Sequence, residues 1–364
     1  MKNLTDLLEI SDLWTHLSSS RKKKVLYGMG DGADKILDVC ESKGIEIHGV
    51  FASDDFVRYQ NFRGFTVRKY SELKEDFGEM IVLVSFATSL DSVLEKIYNI
   101  CNFDEVYAPD VPVFGEGLFD KAYFTDNFEK FNAVYGMLSD ECSKNVYYNI
   151  LKYKLTGNIS LLKECETDVK EAYKNIICPK ENDVYVDIGA YNGDTLKEYI
   201  SYAGEKITAY CFEPDERNFK KLSMYAETLE NTTVNLINAA AWHKNEELTF
   251  YSRSGRNSAH TSAHKGLKSK NITAVRADSI ISTSVNFVNI DAEGSDANAI
   301  EGLSEVIVRS HPTISCAVYH RNEDMFALPL LLAEKYGTFK MYMRHFPYVP
   351  AWDTNVYIRF DDEE

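Results

Sequence analysis

The chain has 364 residues, 45% hydrophobic and 26% charged, with 23 Tyr, 20 Phe and 3 Trp; this excludes disordered, collagen-like and low-complexity classes, and the length favours two domains. Forty basic against 56 acidic residues give a formal net charge of −16, which repels nucleic acid and anionic membranes unless a basic patch is segregated somewhere. Seven scattered cysteines without a Cys-x-x-Cys pair point to neither a disulfide framework nor a zinc site, and fit a reducing cytoplasm.

In chain order, residues 1–20 lack the basic-then-apolar order of a secretory signal. Apolar runs such as residues 81–87 are too short to span a bilayer. The first unit begins with a strand at Val25-Leu26-Tyr27, turns at Gly28-Met29-Gly30-Asp31-Gly32-Ala33 and enters a helix carrying Ile36, Leu37, Val39 and Cys40. Further strands are expected at 47–51, which ends at Ser53-Asp54-Asp55, and at 81–84. Gly28 and Gly30 in a G-x-G-x-x-A turn let backbone approach a pyrophosphate, and Asp54 at the next strand end is placed to accept ribose hydroxyl bonds. A cheap strand-to-helix turn explains the same glycines. Residues 22–109 resemble the Rossmann-like domains of bacterial polysaccharide-biosynthesis and sugar-nucleotide proteins, which implies a nucleotide or nucleotide-sugar ligand, or a partner enzyme or second copy docked there.

Residues 111–178 turn helical and aromatic, with Tyr123, Phe124, Phe128, Phe131, Tyr135, Tyr147, Tyr148 and Tyr153 spread along them. Helical spacing favours core packing over sugar stacking. The chain therefore divides into a Rossmann-like unit at 1–110, a helical connector at 111–178 and a second α/β unit at 179–364.

The second unit opens with Val184-Tyr185-Val186-Asp187-Ile188-Gly189-Ala190-Tyr191-Asn192-Gly193-Asp194-Thr195, a buried strand running through a glycine loop into a helix. The next strand, 207–212, ends in Glu213-Pro214-Asp215, which puts a carboxylate at its tip beside the first loop. No lysine follows the glycines, so this is not a P-loop. Loop amides and several carboxylates suit a cationic nucleoside, S-adenosylmethionine (SAM), although the bare strand-loop-acid pattern is shared with NAD sites.

Residues 135–360 resemble the FkbM-type SAM-dependent methyltransferases through Asp187-Ile188-Gly189-Ala190-Tyr191-Asn192-Gly193-Asp194-Thr195, Phe212-Glu213-Pro214-Asp215, Asn238-Ala239-Ala240, Asn289-Ile290-Asp291-Ala292-Glu293-Gly294 and Tyr319-His320. The resemblance implies an α/β class I methyltransferase fold: a seven-stranded, mostly parallel sheet with an antiparallel last strand. Its strands are expected near 184–188, 207–212, 233–238, 286–290, 313–318, 339–344 and 355–359. It also implies SAM binding by Asp187, Gly189, Ala190, Tyr191, Asn192, Gly193, Asp194, Thr195, Glu213, Pro214, Asn238, Ala239 and Asp291.

Methyl transfer to a hydroxyl needs an aligned acceptor and a group that removes its proton. His320, Asp291 and Glu293 at strand ends are the candidates, His320 having the most suitable ordinary pKa; a structural hydrogen bond from strand end to loop is the alternative. Asp291 and Glu293 show only two oxygen ligands, so no metal is expected. The strand-four sequence is Asp291-Ala292-Glu293-Gly294, unlike the Pro-Pro-aromatic blocks of adenine-methylating enzymes, and favours an oxygen acceptor. Between Glu247 and Asp278 there is no acid, while Arg253, Arg256, Lys265, Lys268, Lys270 and Arg276 occur with His260 and His264. The stretch 252–271 is thus expected to be a basic loop, solvated or closing over an anionic acceptor. Arg344 to Tyr348 and Trp352 form either a stacking wall or a packed hairpin. The resulting expectation is a cytoplasmic SAM-dependent O-methyltransferase acting on a sugar, glycan or sugar-nucleotide. A lipid or polyketide-like acceptor, or a non-catalytic SAM or sugar-nucleotide binding module, are the alternatives.

Overall fold

The computed structural model describes residues 2–112, 115, 117–252, 258–259 and 268–360. Near the N-terminus, β1 (Lys23–Tyr27), β2 (Gly49–Phe51), β3 (Asn61–Phe62), β4 (Phe65–Arg68), β5 (Met80–Val84) and β6 (Glu105–Tyr107) form one sheet in the order β3-β4-β2-β1-β5-β6. It is parallel apart from β3. β5 is buried along its whole length, as a β-branched, apolar run must be when crossover helices cover both faces. β3, β4 and β6 are too short to show a side-chain period and are not evident in the sequence.

The second large sheet holds β7 (Val184–Ile188), β8 (Thr208–Phe212) and β9 (Thr233–Ile237). A side sheet of β10 (Ala240–Ala241), β11 (Glu246–Ser252), β12 (Ser258–Ala259) and β13 (Lys268–Val275) follows. The chain then returns through β14 (Phe287–Ile290), β15 (Thr313–Ala317), β16 (Phe339–His345) and β17 (Thr354–Phe360). The order is β16-β17-β15-β14-β7-β8-β9, with β17 antiparallel to both neighbours and the other pairs parallel. This is the seven-stranded arrangement expected, and every strand end lies close to its expected position.

The side sheet corrects one expectation. Ser252 and Lys268 to Asn271, read as loop, belong to the β11–β13 ladder, where Ser252 pairs with Lys268 and Thr249 with Asn271. Arg253, Arg256, His260, His264 and Lys265 of the expected basic loop lie outside the described residues, as does Glu116.

Each large sheet has a point where strand order reverses, between β1 and β5 in the first and between β7 and β14 in the second. Such points open a crevice at the carboxyl ends of the strands. Glycine closes both. A Cβ on Gly32 would lie 2.3 Å from the Ser85 carbonyl oxygen after β5, and one on Gly189 would lie 1.9 Å from the Asp291 carbonyl oxygen after β14.

The connector helices, among them Phe128–Met137 and Glu141–Thr156, pack between the sheets, and one apolar core runs from Val25 and Val82 through Phe131, Val146 and Leu155 to Val288, Met341 and Ile358. The connector aromatics pack inward, as their helical spacing suggests: Phe124, Phe131, Tyr147 and Tyr153 are fully buried. The Tyr153 hydroxyl donates to the Ala108 carbonyl and Tyr147 to that of Met325, so the helix Glu141–Thr156 is tied to chain on either side of the connector. Arg344 on β16 is clamped by Asp140 and Glu171 at 2.9 and 2.7 Å. All seven cysteines are free thiols, and no helix among the described residues is long and apolar enough to cross a membrane.

Candidate active site

The crevice at the β7/β14 switch point gathers most of the residues singled out in the sequence. Asp187, the penultimate residue of β7, is fully buried; it accepts from Thr195 Oγ1 at 2.6 Å and from Asn289 Nδ2 at 3.1 Å. Burial pushes its carboxyl up to about 6, against the pull of those donors. The loop after it turns through Gly189 (φ 83) and Gly193 (φ 87), and both Gly189 and Ala190 donate their amides to the Phe212 carbonyl at 3.0 Å. The left-handed backbone at Gly189, with the Asp291 carbonyl against it, leaves no room for a side chain. The loop leads into the helix Asp194–Ala203, where Asn192 Oδ1 accepts from the Asp194 amide and Asp194 Oδ1 from the Thr195 amide.

Glu213 follows β8 directly and is buried. Its two oxygens accept from the amides of Tyr191 (2.9 Å) and Asp215 (2.7 Å), which joins the tip of β8 to the glycine loop. Burial outweighs these bonds and pushes the carboxyl up to about 7. Asn238 Nδ2 donates to the Glu213 carbonyl at 2.8 Å, Ala239 is buried beside it, and Pro214 is half-buried after it.

On the other side of the crevice, Asp291 follows β14 and presents part of its carboxylate to solvent. Its Oδ1 lies 3.0 Å from His320 Nε2, and its Oδ2 accepts from the Tyr319 hydroxyl at 3.0 Å. His320, after β15, is buried, and its Nδ1 lies 3.2 Å from Asp296 Oδ2. Burial disfavours a charged imidazole, but carboxylates at both ring nitrogens outweigh it and hold His320 protonated well above the ordinary histidine range. For Asp291 burial is likewise outweighed, here by the His320 bond and charge, and its pKa is lowered. Glu293 stands at the rim, open to solvent on one side and crowded by protein on the others. That crowding, with the charge of Asp291, pushes its carboxyl up to about 8. Its backbone is left-handed at φ 47.

Three groups in this network were not picked out from the sequence. Asp296 begins the helix Asp296–Gly302 and Asp324 the helix Asp324–Tyr336; both are buried. An acid in a first helical turn is a common signal and gave no sign that it faces the site. Asp353, before β17, is pushed up to about 6 by burial, with Asp291 and Glu198 adding to it. Asp296, His320 and Asp324 offer atoms within 4.8 Å of one another; the imidazolium set between carboxylates accounts for that convergence as an ion network. Trp352 stacks on Tyr319 at 6.5 Å and lies 5.7 Å from Tyr348, so the three rings form one cluster joined to Asp291 through the Tyr319 hydroxyl.

This crevice, bounded by a glycine loop whose amides are spent on backbone carbonyls and lined by carboxylates, fits a cationic nucleoside better than a pyrophosphate. Residues 187–349 match the family model of the methyltransferase FkbM domain. That stretch holds Asp187, Glu213, Asp291, Glu293 and His320. On that match the protein is a SAM-dependent methyltransferase. The crystal structure of methyltransferase FkbM from Methylobacillus flagellatus KT is similar in fold, with a TM-score of 0.67 at 19% identity over 93% of this chain and 90% of that one. A putative methyltransferase from Streptococcus mutans in complex with SAH overlaps only in part, at 11% identity over 53% of this chain and 98% of that one, TM-score 0.34. A fibrillarin from Aeropyrum pernix with bound SAM does so at 14% over 49% and 67%, TM-score 0.30. Neither adds to the fold assignment. No curated protein matches the sequence significantly.

The second expected site is at the edge of the N-terminal sheet. Gly28 (φ 118) donates its amide to the Phe51 carbonyl, Gly30 precedes the helix Asp31–Ser42 with open space around it, and Asp54 begins a short turn after β2. The structure brings this edge to the methyltransferase edge. Thr88, after β5, exchanges backbone hydrogen bonds of 2.8 and 3.0 Å with Val349 between β16 and β17, and Asn322 Nδ2 donates to the Gly117 carbonyl.

Proposed function

We propose that this FkbM enzyme methylates a hydroxyl of a sugar, glycan or sugar-nucleotide, with Glu293 as general base, and that it works in the cytoplasm. The acidic crevice carries the reading: Asp187, Glu213, Asp291 and Glu293 converge on it, three of them with raised pKa. Bound SAM supplies an electrophilic methyl carbon and a positive charge that is lost on transfer.

The protein's part is to bind, orient and move one proton. Glu213, held by the Tyr191 and Asp215 amides, offers its remaining lone pairs to ribose hydroxyls. Asp187 shapes the glycine loop through Thr195 and stays out of solvent. As the new C–O bond forms, the acceptor proton passes to a Glu293 carboxylate oxygen. A carboxylate with its pKa near 8 suits that task. Its neutralisation as the positive charge disappears leaves the net charge of the crevice unchanged. His320, with a carboxylate on each ring nitrogen, has no lone pair to offer a hydroxyl, and its part is to hold Asp291.

The aromatic cluster of Tyr319, Tyr348 and Trp352 supports a sugar acceptor, since rings stack on sugar faces. The joined edges support one whose nucleotide part reaches Gly28, Gly30 and Asp54. Calorimetry with SAM tests the cofactor side: Glu213→Ala is expected to weaken binding about tenfold or more, and undiminished binding would sink that assignment. Transfer of labelled methyl to sugar-nucleotides, free glycans, lipids and polyketide-like alcohols tests the acceptor. Labelling confined to the last two classes rejects the sugar.

A further inference from the structure

We propose that Asp296 is the positioning residue of this site, one buried carboxylate that holds both Asp291 and Glu293 toward the bound sulfonium; the proposal rests on the SAM reading above. Asp296 is 1% exposed. Its Oδ1 accepts from the Ala292 amide at 2.8 Å, and its Oδ2 accepts from the Gly294 amide at 3.1 Å while lying 3.2 Å from His320 Nδ1.

The two amides flank Glu293. A left-handed glutamate is uncommon and persists only where its surroundings fix it. Here one carboxylate grips the chain on both sides of the residue, and Arg321 Nε, donating to the Gly294 carbonyl at 3.2 Å, closes the turn. The second arm runs through His320 to Asp291 Oδ1. Asp291 and Glu293 repel each other, so bringing both to one rim needs an external hold, and Asp296 supplies it in two directions.

A simple helix-capping role does not account for these bonds. The helix Asp296–Gly302 has no side-chain cap, and the Asp296 carboxylate bonds amides of the preceding loop rather than those of its own helix. Its bonds are spent on the site.

The consequence is selective recognition of charge. SAM and S-adenosylhomocysteine (SAH) differ by one methyl group and one positive charge, and a rim of two aligned carboxylates discriminates between them. The groups facing Glu293 are Asp291, Glu213 and Asp296, which favour its protonated form, and His320, which opposes them. Adding a cation to this set drives a proton off Glu293; adding neutral SAH does not.

Calorimetry with SAM and with SAH, each near neutral pH in two buffers of different ionisation enthalpy, reads affinity and proton release together. The wild-type chain should release a proton with SAM only. Asp296→Asn should lower the SAM-to-SAH affinity ratio about tenfold, as expected for members of one coupled network, and abolish the extra proton release, with SAH affinity and melting temperature kept. A folded Asp296→Asn with both readouts unchanged overturns the proposal. Should that variant not fold, His320→Gln, which cuts only the arm to Asp291, is expected to lower the ratio about threefold; no change there overturns it equally. Glu293→Gln separates the two levels. If the ratio and the proton release survive Glu293→Gln, the reading of Glu293 fails; if they are lost there yet kept in Asp296→Asn, only the positioning role fails.

Discussion

Replacing Gly189 by alanine tests the point where the two halves of the parallel sheet close on the site. The added Cβ would lie 1.9 Å from the Asp291 carbonyl oxygen and 2.9 Å from its carbon, where a carbon–oxygen contact needs about 3.3 Å. Both obstacles are backbone and cannot rotate away. Asp291 is itself tied down, its amide donating to the Ile188 carbonyl at 2.9 Å, so relief comes only by opening the β7/β14 ladder at its tip. The left-handed backbone costs an alanine about 1–2 kcal/mol, and the forced separation a further 1–3 kcal/mol or so, as overpacking does. A total of about 2–5 kcal/mol corresponds to a fall in melting temperature of roughly 5–15 °C for a unit of this size. Thermal and urea unfolding read the stability, and SAM calorimetry on the same samples reads the site, which should bind more weakly because Asp291 moves. Gly30→Ala is the control: that position has nothing within 4 Å of an added Cβ and should melt close to wild type. If Gly189→Ala melts with Gly30→Ala and binds SAM undiminished, the Asp291 carbonyl does not hold this position to glycine.

Other outcomes follow from the charges and the rings. Asp187, Glu213 and Glu293 have folded-state pKa values raised to about 6, 7 and 8. The stability tied to their protonation is present below their unfolded values and lost as pH rises through the folded ones. The ligand-free protein should therefore melt lower at about pH 8 than at about pH 5, and saturating SAM should flatten the slope; a melting temperature independent of pH across that window refutes it. Arg344→Met strips Asp140 and Glu171 of their shared partner and should cost about 3 kcal/mol by urea unfolding, at the low end for a broken ion pair because both carboxylates keep some solvent. Its SAM affinity should hold. Trp352→Ala should raise the acceptor KM about tenfold through lost stacking while leaving the SAM dissociation constant in place; steady-state kinetics with varied acceptor decide it.

Asp187, Gly189 and Glu213 were legible in the chain itself. A buried strand that ends in an acid and a glycine turn reports its own geometry, because a few consecutive residues dictate it. The seven strands of the second sheet were expected as a set from the resemblance to the FkbM-type enzymes, not from local pattern. The charge state of His320 was not legible: its partners, Asp291 and Asp296, arrive from the neighbouring strand end and the helix after it, and strand neighbours depend on sheet order. Nor were Asp324 and Asp353, each an ordinary-looking acid at an element boundary until packing encloses it.

The sequence by itself thus determined two parallel α/β units, the glycine turns of both and the acid at each strand tip, since these follow from side-chain period and backbone sterics over short stretches. The tertiary structure decided which carboxylates flank the His320 ring, that Asp296 reaches back to the loop before it, and that Thr88 pairs with Val349 so that the two sheet edges are hydrogen-bonded to each other. Those contacts join residues far apart in the chain. They are set by how apolar faces of sheets and connector helices pack into one core, which no local pattern encodes.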